Sequence, residues 1–398
     1  MKVDPIQRAL ELRKTLKIDD KILVVEFANT LQGKDTSRVI DLMPNIRTGE
    51  AVFRAKVNVK EIDPIAAAEY KKEFIDIRKM PDSDIEKLIN KGEFDFPLWF
   101  KHHKDFSMKR VLDYNPPFVF QVGGCNFHDG SPTGGCWYCF VDDASNDGVI
   151  AKGKAWLGIN DTIDSMIYAR ERVAKQYADE GIDMKIKVLR ASGGEPTLIL
   201  DHILNLWREI GSRNLDFVGQ LDSNLSTGSV VDRFEKEGIY EPNTLEKLAE
   251  YPVKVLTAIK GVCEENLQAN VQSTATMEEQ FHSLQKFLKA GFDIYPQMYN
   301  PYPRSLKEYL TVMDSRIENF SLRVHIGPLK IYGPTRKRLT LEANRLGVPP
   351  EEFIAMKQAE WDNNYHDGCA VMDDYLREVH KVGYKEVTRS DVPLKILK

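Results

Sequence analysis

The chain has 398 residues, of which 42% are hydrophobic and 29% charged, with a formal net charge of -5. That balance excludes a chain dominated by disorder and a broadly basic surface built to coat nucleic acid, and the length suffices for one large domain with additions or for two. The charged opening stretch MKVDPIQRALELRKTLKIDD has no apolar region of the secretory kind, and no apolar run reaches membrane-spanning length, so a soluble cytoplasmic protein without membrane contact is expected.

Residues 1–112 read as an α+β extension packed on the remainder of the chain. Asp4–Leu16 and Asp84–Lys91 have helical character, Ile22–Phe27 and Ala51–Val59 have strand character, and Phe94–Lys104 is aromatic and basic. Within that last stretch, Trp99–Lys104 reads as a solvated helix end, with contact to a partner or nucleic acid as the alternative.

Strand and helix patterns then alternate through residues 113–335. Phe118–Val122 predicts a buried strand, and Asp161–Glu180 a helix with apolar residues at helical spacing. Further strands are expected at Lys185–Leu189, Phe217–Leu221, Val253–Ile259, Phe292–Met298 and Leu322–Ile331. Helices are expected at Leu198–Ile210, Thr244–Tyr251, Met277–Ala290 and Leu306–Asp314. Such alternation implies parallel β/α units, in a partial or full barrel or a doubly wound sheet, with ligands at the carboxyl ends of the strands. Residues 336–398 read as a helical extension of two or three helices, including Leu339–Leu346, Pro350–Trp361 and Met372–Val382.

The chemistry concentrates in the loop after the first of these strands. There are five cysteines, and Cys125, Cys136 and Cys139 form a C-x10-C-x2-C pattern on one glycine-rich loop. Three thiolates on one loop can bind three irons of a cubane cluster and leave the fourth iron open. The competing possibility is a zinc loop completed by His128 or Cys263, although paired Cys-x2-Cys knuckles would be the commoner zinc pattern. Cys263 and Cys369 are too scattered for a second cluster and read as structural thiols.

Directly after the second strand stands Gly193-Gly194-Glu195-Pro196. Taken alone it is compatible with an ordinary β/α turn. With the three-cysteine loop after the preceding strand, it makes the chain resemble the radical S-adenosylmethionine (SAM) superfamily over roughly residues 113–335. Cys136-Trp137-Tyr138-Cys139 and the Gly-Gly-Glu-Pro sequence match that family in residue type, order and position; the C-x10-C gap is longer than its usual first gap.

The resemblance implies a partial (β/α)6 barrel and a [4Fe–4S] cluster on Cys125, Cys136 and Cys139. It also implies reductive cleavage of SAM to a 5′-deoxyadenosyl radical that abstracts hydrogen from a substrate. Tyr138 would lie near the adenine, or else cover the core as a loop aromatic. Gly193, Gly194 and Glu195 would hold the methionine moiety. Ser223 and Asn224, at the end of the third strand, would contact SAM or else form a cap or Asx-turn. Lys260 stands where activating-enzyme-like members carry a lysine, but Ala258 replaces their aspartate, and a solvated lysine is the simpler expectation. Gln297, Tyr299, Asn300 and His325 are further residues that could line a cavity, and no catalytic residue is singled out. The sequence has no Asp-x-His-x-x-Gly pattern for cobalamin. The resemblance leaves a small molecule, a peptide or protein side chain, or a nucleic-acid base as substrate, and a ferredoxin or flavodoxin as electron donor. The alternative of another class is a non-catalytic zinc- or cluster-binding interaction module.

Overall fold

The computed structural model describes residues 2–26, the strands Asp41–Asn45, Glu50–Arg54 and Val59–Glu61, residues 81, 83 and 84, and residues 117–397 except 180, 182, 184, 388, 390 and 391. The expected helix Asp84–Lys91 and the Phe94–Lys104 segment therefore fall almost wholly outside the described residues.

The first element is a helix, α1 (Pro5–Leu16). Asp4 caps it, Oδ1 accepting from the amides of Ile6 at 2.9 Å and Gln7 at 3.2 Å, and Pro5 supplies the fixed φ of a first helical position. Its Ala9, Leu12 and Leu16 enter the main core.

The central sheet is mixed and mostly parallel. Its strands are β1 (Lys21–Val25), β2 (Asp41–Asn45), β3 (Glu50–Arg54), β4 (Val59–Glu61), β5 (Phe118–Val122), β6 (Lys154–Leu157), β7 (Val188–Gly193), β8 (Val218–Ser223), β9 (Val253–Ile259), β10 (Ile294–Tyr299) and β11 (His325–Gly327). Along the sheet the order is β11-β10-β9-β8-β7-β5-β2-β3-β4, with β1 pairing β5 and β6. From β5 to β11 neighbours pair in parallel, with Val122 opposite Gly193, Thr257 opposite Ser223 and Gln297 opposite His325. The parallel strands β5 and β7–β11 thus lie side by side in chain order, as a partial (β/α)6 barrel requires, and the sheet is not closed by hydrogen bonds among the described residues. At the β5 edge, β2 adds in parallel and β3 and β4 continue as an antiparallel meander.

Helices alternate with these strands: α2 (Ile159–Asp179), α3 (Leu200–Ser212), α4 (Gly228–Lys236), α5 (Thr244–Ala249), α6 (Glu264–Asn270), α7 (Met277–Lys289) and α8 (Pro303–Asp314). Leu198, Leu204, Trp207, Val230, Phe234, Leu284 and Leu310 bury the face that packs on the sheet. Because every parallel strand ends at the same edge, the cysteine loop, the Gly-Gly-Glu-Pro turn and the Asn224 turn are delivered to one side of the molecule.

Three expectations need correction. Ala51–Val59 is not one strand, since β3 and β4 are separate and pair antiparallel. The expected strand Leu322–Ile331 shrinks to β11, because Phe320–Arg323 forms a helical turn whose buried Arg323 bonds Asp293 and the Ile294 carbonyl. The tail is not two short helices after Leu346: α9 (Gly333–Leu346) is followed by a single long helix, α10 (Pro350–Val379). The polar stretch between Trp361 and Met372 looks like a break, but tertiary contacts override its weak propensity. Asn364 Nδ2 donates to Asn300 Oδ1 at 2.8 Å. At Gly368 a Cβ would come within 3.2 Å of Pro301 Cγ, so glycine lets the helix lie close to the β10–α8 loop.

Candidate functional site

The cysteine loop leaves β5 at Val122 and is pinned at both ends. The Cys125 amide donates to the Asn146 carbonyl at 2.8 Å, and the His128 amide closes a turn on the Cys125 carbonyl at 3.0 Å. At the far end the Cys139 amide donates to the Cys136 carbonyl at 3.1 Å, while the Trp137 amide bonds the Asn270 carbonyl at the end of α6. Cys136 is buried, and Cys125 and Cys139 are half-buried.

Burial pushes the Cys125 thiol far above its ordinary range, and the charges of Cys136 and Cys139 push it further, so the three sulfurs lie within electrostatic reach of one another. Burial also raises Cys136, opposed by the positive charges of Lys260 and Arg338. Among the described residues no group of three or more His, Cys, Asp or Glu side chains is gathered to hold a single metal ion. Thiolates that each bind a different iron of a cubane need not converge on one point. His128, which could have been a ligand or a solvated loop residue, is buried: Nδ1 accepts from the Gly130 amide at 3.0 Å, and Nε2 lies 3.6 Å from Asp143.

The Gly-Gly-Glu-Pro turn is pressed against this loop. The Gly194 amide donates to the Val122 carbonyl at 3.0 Å, and the Glu195 amide to the Gly124 carbonyl at 2.8 Å. Gly193 has φ +95°, and a Cβ on Gly194 would sit 1.8 Å from the Gly124 oxygen. The glycines are thus demanded first by backbone packing against backbone.

Glu195 is fully buried. Its Oε1 accepts from the Thr197 hydroxyl at 2.6 Å, and Oε2 from the Asn224 amide at 2.7 Å. Thr197 meets the Thr227 hydroxyl at 2.6 Å, and Tyr240 donates to the Thr197 carbonyl at 2.7 Å, extending the network. Burial raises the Glu195 carboxyl to about 7, even though Thr197, Asn224 and Ser223 all bond its charged form.

Asn224 then completes the link to sulfur. Its Nδ2 lies 3.7 Å from Cys125 Sγ and 3.0 Å from Asn126 Oδ1, and Asn126 donates to Ser226 Oγ at 2.8 Å. Ser223 Oγ accepts from the Leu225 amide at 3.1 Å. The structure therefore brings Cys125, Gly193, Gly194, Glu195, Ser223 and Asn224 together at the ends of three neighbouring strands, β5, β7 and β8.

Tyr138 lies at the other end of the loop. It is buried, with its ring centroid 5.9 Å from Tyr299 and edge-on to Trp361 of α10 at 6.3 Å. Its hydroxyl has no partner among the described residues. The Lys260 ammonium stands 5.4 Å from the Tyr138 ring centroid, and its positive charge opposes the rise of Cys136, so this lysine points toward the loop.

Of the other residues singled out, Asn300 is a structural hub. Its side chain donates to Asn270 at 2.7 Å, and its carbonyl accepts from Asn266 at 3.0 Å. His325 stacks between Tyr295 and Tyr384, each 6.5 Å away, and burial lowers its pKa to about 3. Tyr299 donates to Gln297 Oε1. Cys263 occupies the N-cap position of α6 without a side-chain cap bond, and burial raises the Cys369 thiol on α10 to about 11.

Sequence reasoning passed over four residues at the loop. Asn146 aims Nδ2 at Cys139 Sγ from 3.8 Å. Arg338, fully buried on α9, donates to the carbonyls of Cys136 at 3.2 Å and Cys139 at 3.0 Å and bonds Asp143 at 2.7 Å. Thr335 Oγ1 donates to the Cys139 carbonyl at 3.1 Å. Asp143 and Asn146 just beyond the loop, and Thr335 and Arg338 about 200 residues away, carry no local mark of such a role.

No family model matches the chain, and no curated protein matches it by sequence. Among solved structures, the chain is similar to the cobalamin-dependent S-adenosylmethionine radical enzyme OxsB with aqua-cobalamin bound. The identity is 14% and the TM-score 0.37, over 61% of this chain and 31% of OxsB. It is also similar to anSMEcpe with bound AdoMet, at 16% identity and a TM-score of 0.33, over 58% of this chain and 60% of that one. The OxsB structure also holding S-adenosylmethionine matches at 14% identity and a TM-score of 0.36, over 61% and 31%. The two OxsB structures are of an S-adenosylmethionine radical enzyme, and the anSMEcpe structure has AdoMet bound. The chain spans about a third of OxsB and three fifths of anSMEcpe, and at these scores no residue of either protein is matched to one here.

Proposed function

We propose that this chain is a radical SAM enzyme, in which Cys125, Cys136 and Cys139 would hold a [4Fe–4S] cluster and leave one iron open for SAM. One observation carries the proposal: the cysteine loop after β5, the buried Glu195 after β7 and Asn224 after β8 meet at one edge, and Asn224 links carboxylate to sulfur. Such a cluster, held by Cys125, Cys136 and Cys139, would supply the electron for reductive cleavage of SAM, giving methionine and a 5′-deoxyadenosyl radical that would take a hydrogen atom from substrate.

The residues fit such a group. Cys125 and Cys139 each have an amide nitrogen donor from outside the loop and Cys136 feels the positive charges of Lys260 and Arg338, and such groups stabilise thiolates while tuning a cluster. Buried thiols raised in pKa surrender their protons as metal binds.

Gly193, Gly194, Ser223 and Asn224 would border the methionine and ribose portions of SAM. Glu195, with both oxygens engaged, would act chiefly by holding Asn224 and the Thr197 turn in position. Tyr138 and Lys260 would form an aromatic and cationic wall on the Cys136 side. A ferredoxin or flavodoxin would deliver the electron, and a small molecule, a peptide or protein side chain, or a nucleic-acid base would give up the hydrogen.

The test is anaerobic reconstitution with iron and sulfide, addition of dithionite and SAM, and assay for 5′-deoxyadenosine. Product from the native chain, absent from the Cys125/Cys136/Cys139→Ala triple variant, supports the proposal. One tightly bound zinc with no product would overturn it in favour of a non-catalytic metal-binding module.

A further inference from the structure

Two thiols of the loop face outside amide donors, Asn224 for Cys125 at 3.7 Å and Asn146 for Cys139 at 3.8 Å, while the positive charges of Lys260 and Arg338 bear on Cys136. The Asn146 donor is not independent of the C-terminal extension. Asn146 ends a four-residue helix that begins at Asp143, and Arg338 Nη2 holds Asp143 Oδ1 at 2.7 Å. The same guanidinium places Nη1 3.2 Å from the Cys136 carbonyl and 3.0 Å from that of Cys139. One side chain of α9 therefore grips both the Cys136–Cys139 turn and the helix that carries the donor to Cys139.

Arg338 is fully buried, and its Nε has no partner among the described residues. Burying a guanidinium costs several kcal/mol before its partners compensate, whereas a helix can be fastened to a loop by apolar packing at no such cost. Although paired with Asp143, that charge still bears on Cys136, and so it has an electrostatic consequence. Positive charge and N–H donors favour the more negative, reduced state of an iron–sulfur cluster and raise its potential.

We infer that Arg338 is a positioning residue for the cysteine loop, locking the Cys136–Cys139 turn and the Asn146 helix into one unit and thereby raising the reduction potential of the cluster the loop would carry. This rests on the cluster assignment proposed above.

Two measurements test it, one without metal. In the metal-free full-length chain, Arg338→Gln should speed hydrogen exchange at the Cys139 amide by about tenfold or more, because the turn loses its clamp. In the reconstituted protein, the cluster of Arg338→Gln should be about tenfold harder to reduce, a fall of about 59 mV for one electron. Arg338→Lys keeps a charge but not the fork, so its potential should lie between those of the native and Gln proteins while exchange stays fast. Asn146→Ala should lower the potential with exchange at Cys139 unchanged.

A native-like potential in Arg338→Gln with full iron content would overturn the inference and leave the proposed function standing. Absence of any cluster in the native chain would overturn the proposed function, while the exchange experiment would still decide whether Arg338 clamps the turn. If Arg338→Gln does not fold, Arg338→Lys decides, and native exchange together with native potential in that variant would refute the assignment.

Discussion

The two ends of the cysteine loop are supported in different ways. Around Cys125 the support comes from the next two strands: the Gly124 carbonyl takes the Glu195 amide, and Glu195 takes the Asn224 amide. Around Cys136 and Cys139 the Trp137 amide bonds the Asn270 carbonyl, and further support comes from residues roughly 200 positions downstream, through a buried guanidinium, a hydroxyl and the ring of Trp361. The first end is built by backbone meeting backbone, which tolerates almost no change of residue. The second adds side chains reaching over a distance, which many sequences could achieve. The cysteines show as a motif at both ends, but the residues that hold the second end from afar do not.

The comparison can be broken most severely at the sulfurs. Cys139→Ala should remove nearly all iron after reconstitution while the far-ultraviolet circular dichroism stays native; full iron retention would take this cysteine out of the site. Next comes the backbone contact at the Cys125 end. Gly194→Ala drives a Cβ into the Gly124 carbonyl, and a loss of about 3 kcal/mol or more is expected from the shift in denaturation midpoint. A change below about 1 kcal/mol would mean that the two loops are not pressed together as described.

Glu195→Gln sharpens the same end through pH. Burial raises the Glu195 carboxyl from 4.5 to about 7, so between those values the native state holds a proton that the unfolded chain has released. The contribution of this residue to stability is therefore complete below about 4.5 and is lost as pH rises through 7. Glu195→Gln should flatten that fall in the difference between native and variant stability curves, and an unchanged slope would contradict the burial of an ionisable carboxyl there. The smallest effect belongs to Arg336→Gln. This arginine, two residues from Arg338, is half-exposed and among the described residues pairs with the exposed Glu351, so its loss should cost less than about 0.5 kcal/mol in thermal or chemical unfolding.

Much of the core was legible from residue patterns. The strand Val253–Ile259 and the start of helix Met277–Lys289 appear where hydrophobic spacing puts them; the strand is largely buried, and the helix packs Leu284 and Phe287 into the core. The second parallel strand begins three residues later than expected, at Val188 rather than Lys185, because its ladder partners are set by the neighbouring strands and not by its own apolar run. The helix Gly228–Lys236 lay in a mixed stretch and Glu264–Asn270 was not read as a helix, both being short and bordered by polar residues. Lys260 and His128 were expected in solvent because a lone lysine or loop histidine carries no sign of burial. Both turn inward because α9, α10 and the short helix at Asp143 close over the loop.

By itself the sequence determined which residue types meet at each strand end: thiols after β5, a Gly-Gly-Glu-Pro turn after β7, and Ser223 with Asn224 after β8. It could do so because parallel β/α units send all their carboxyl ends to one edge, so chain order alone brings those turns together. Only the tertiary structure decided that the glycines are forced by backbone contact, that Glu195 is sealed between Thr197 and Asn224, and that α10 runs unbroken through Gly368. Only it brought Arg338 to the cysteine turn. Those outcomes depend on pairings across long stretches of chain, where burial, charge and close packing outweigh local propensity and leave no local pattern to read.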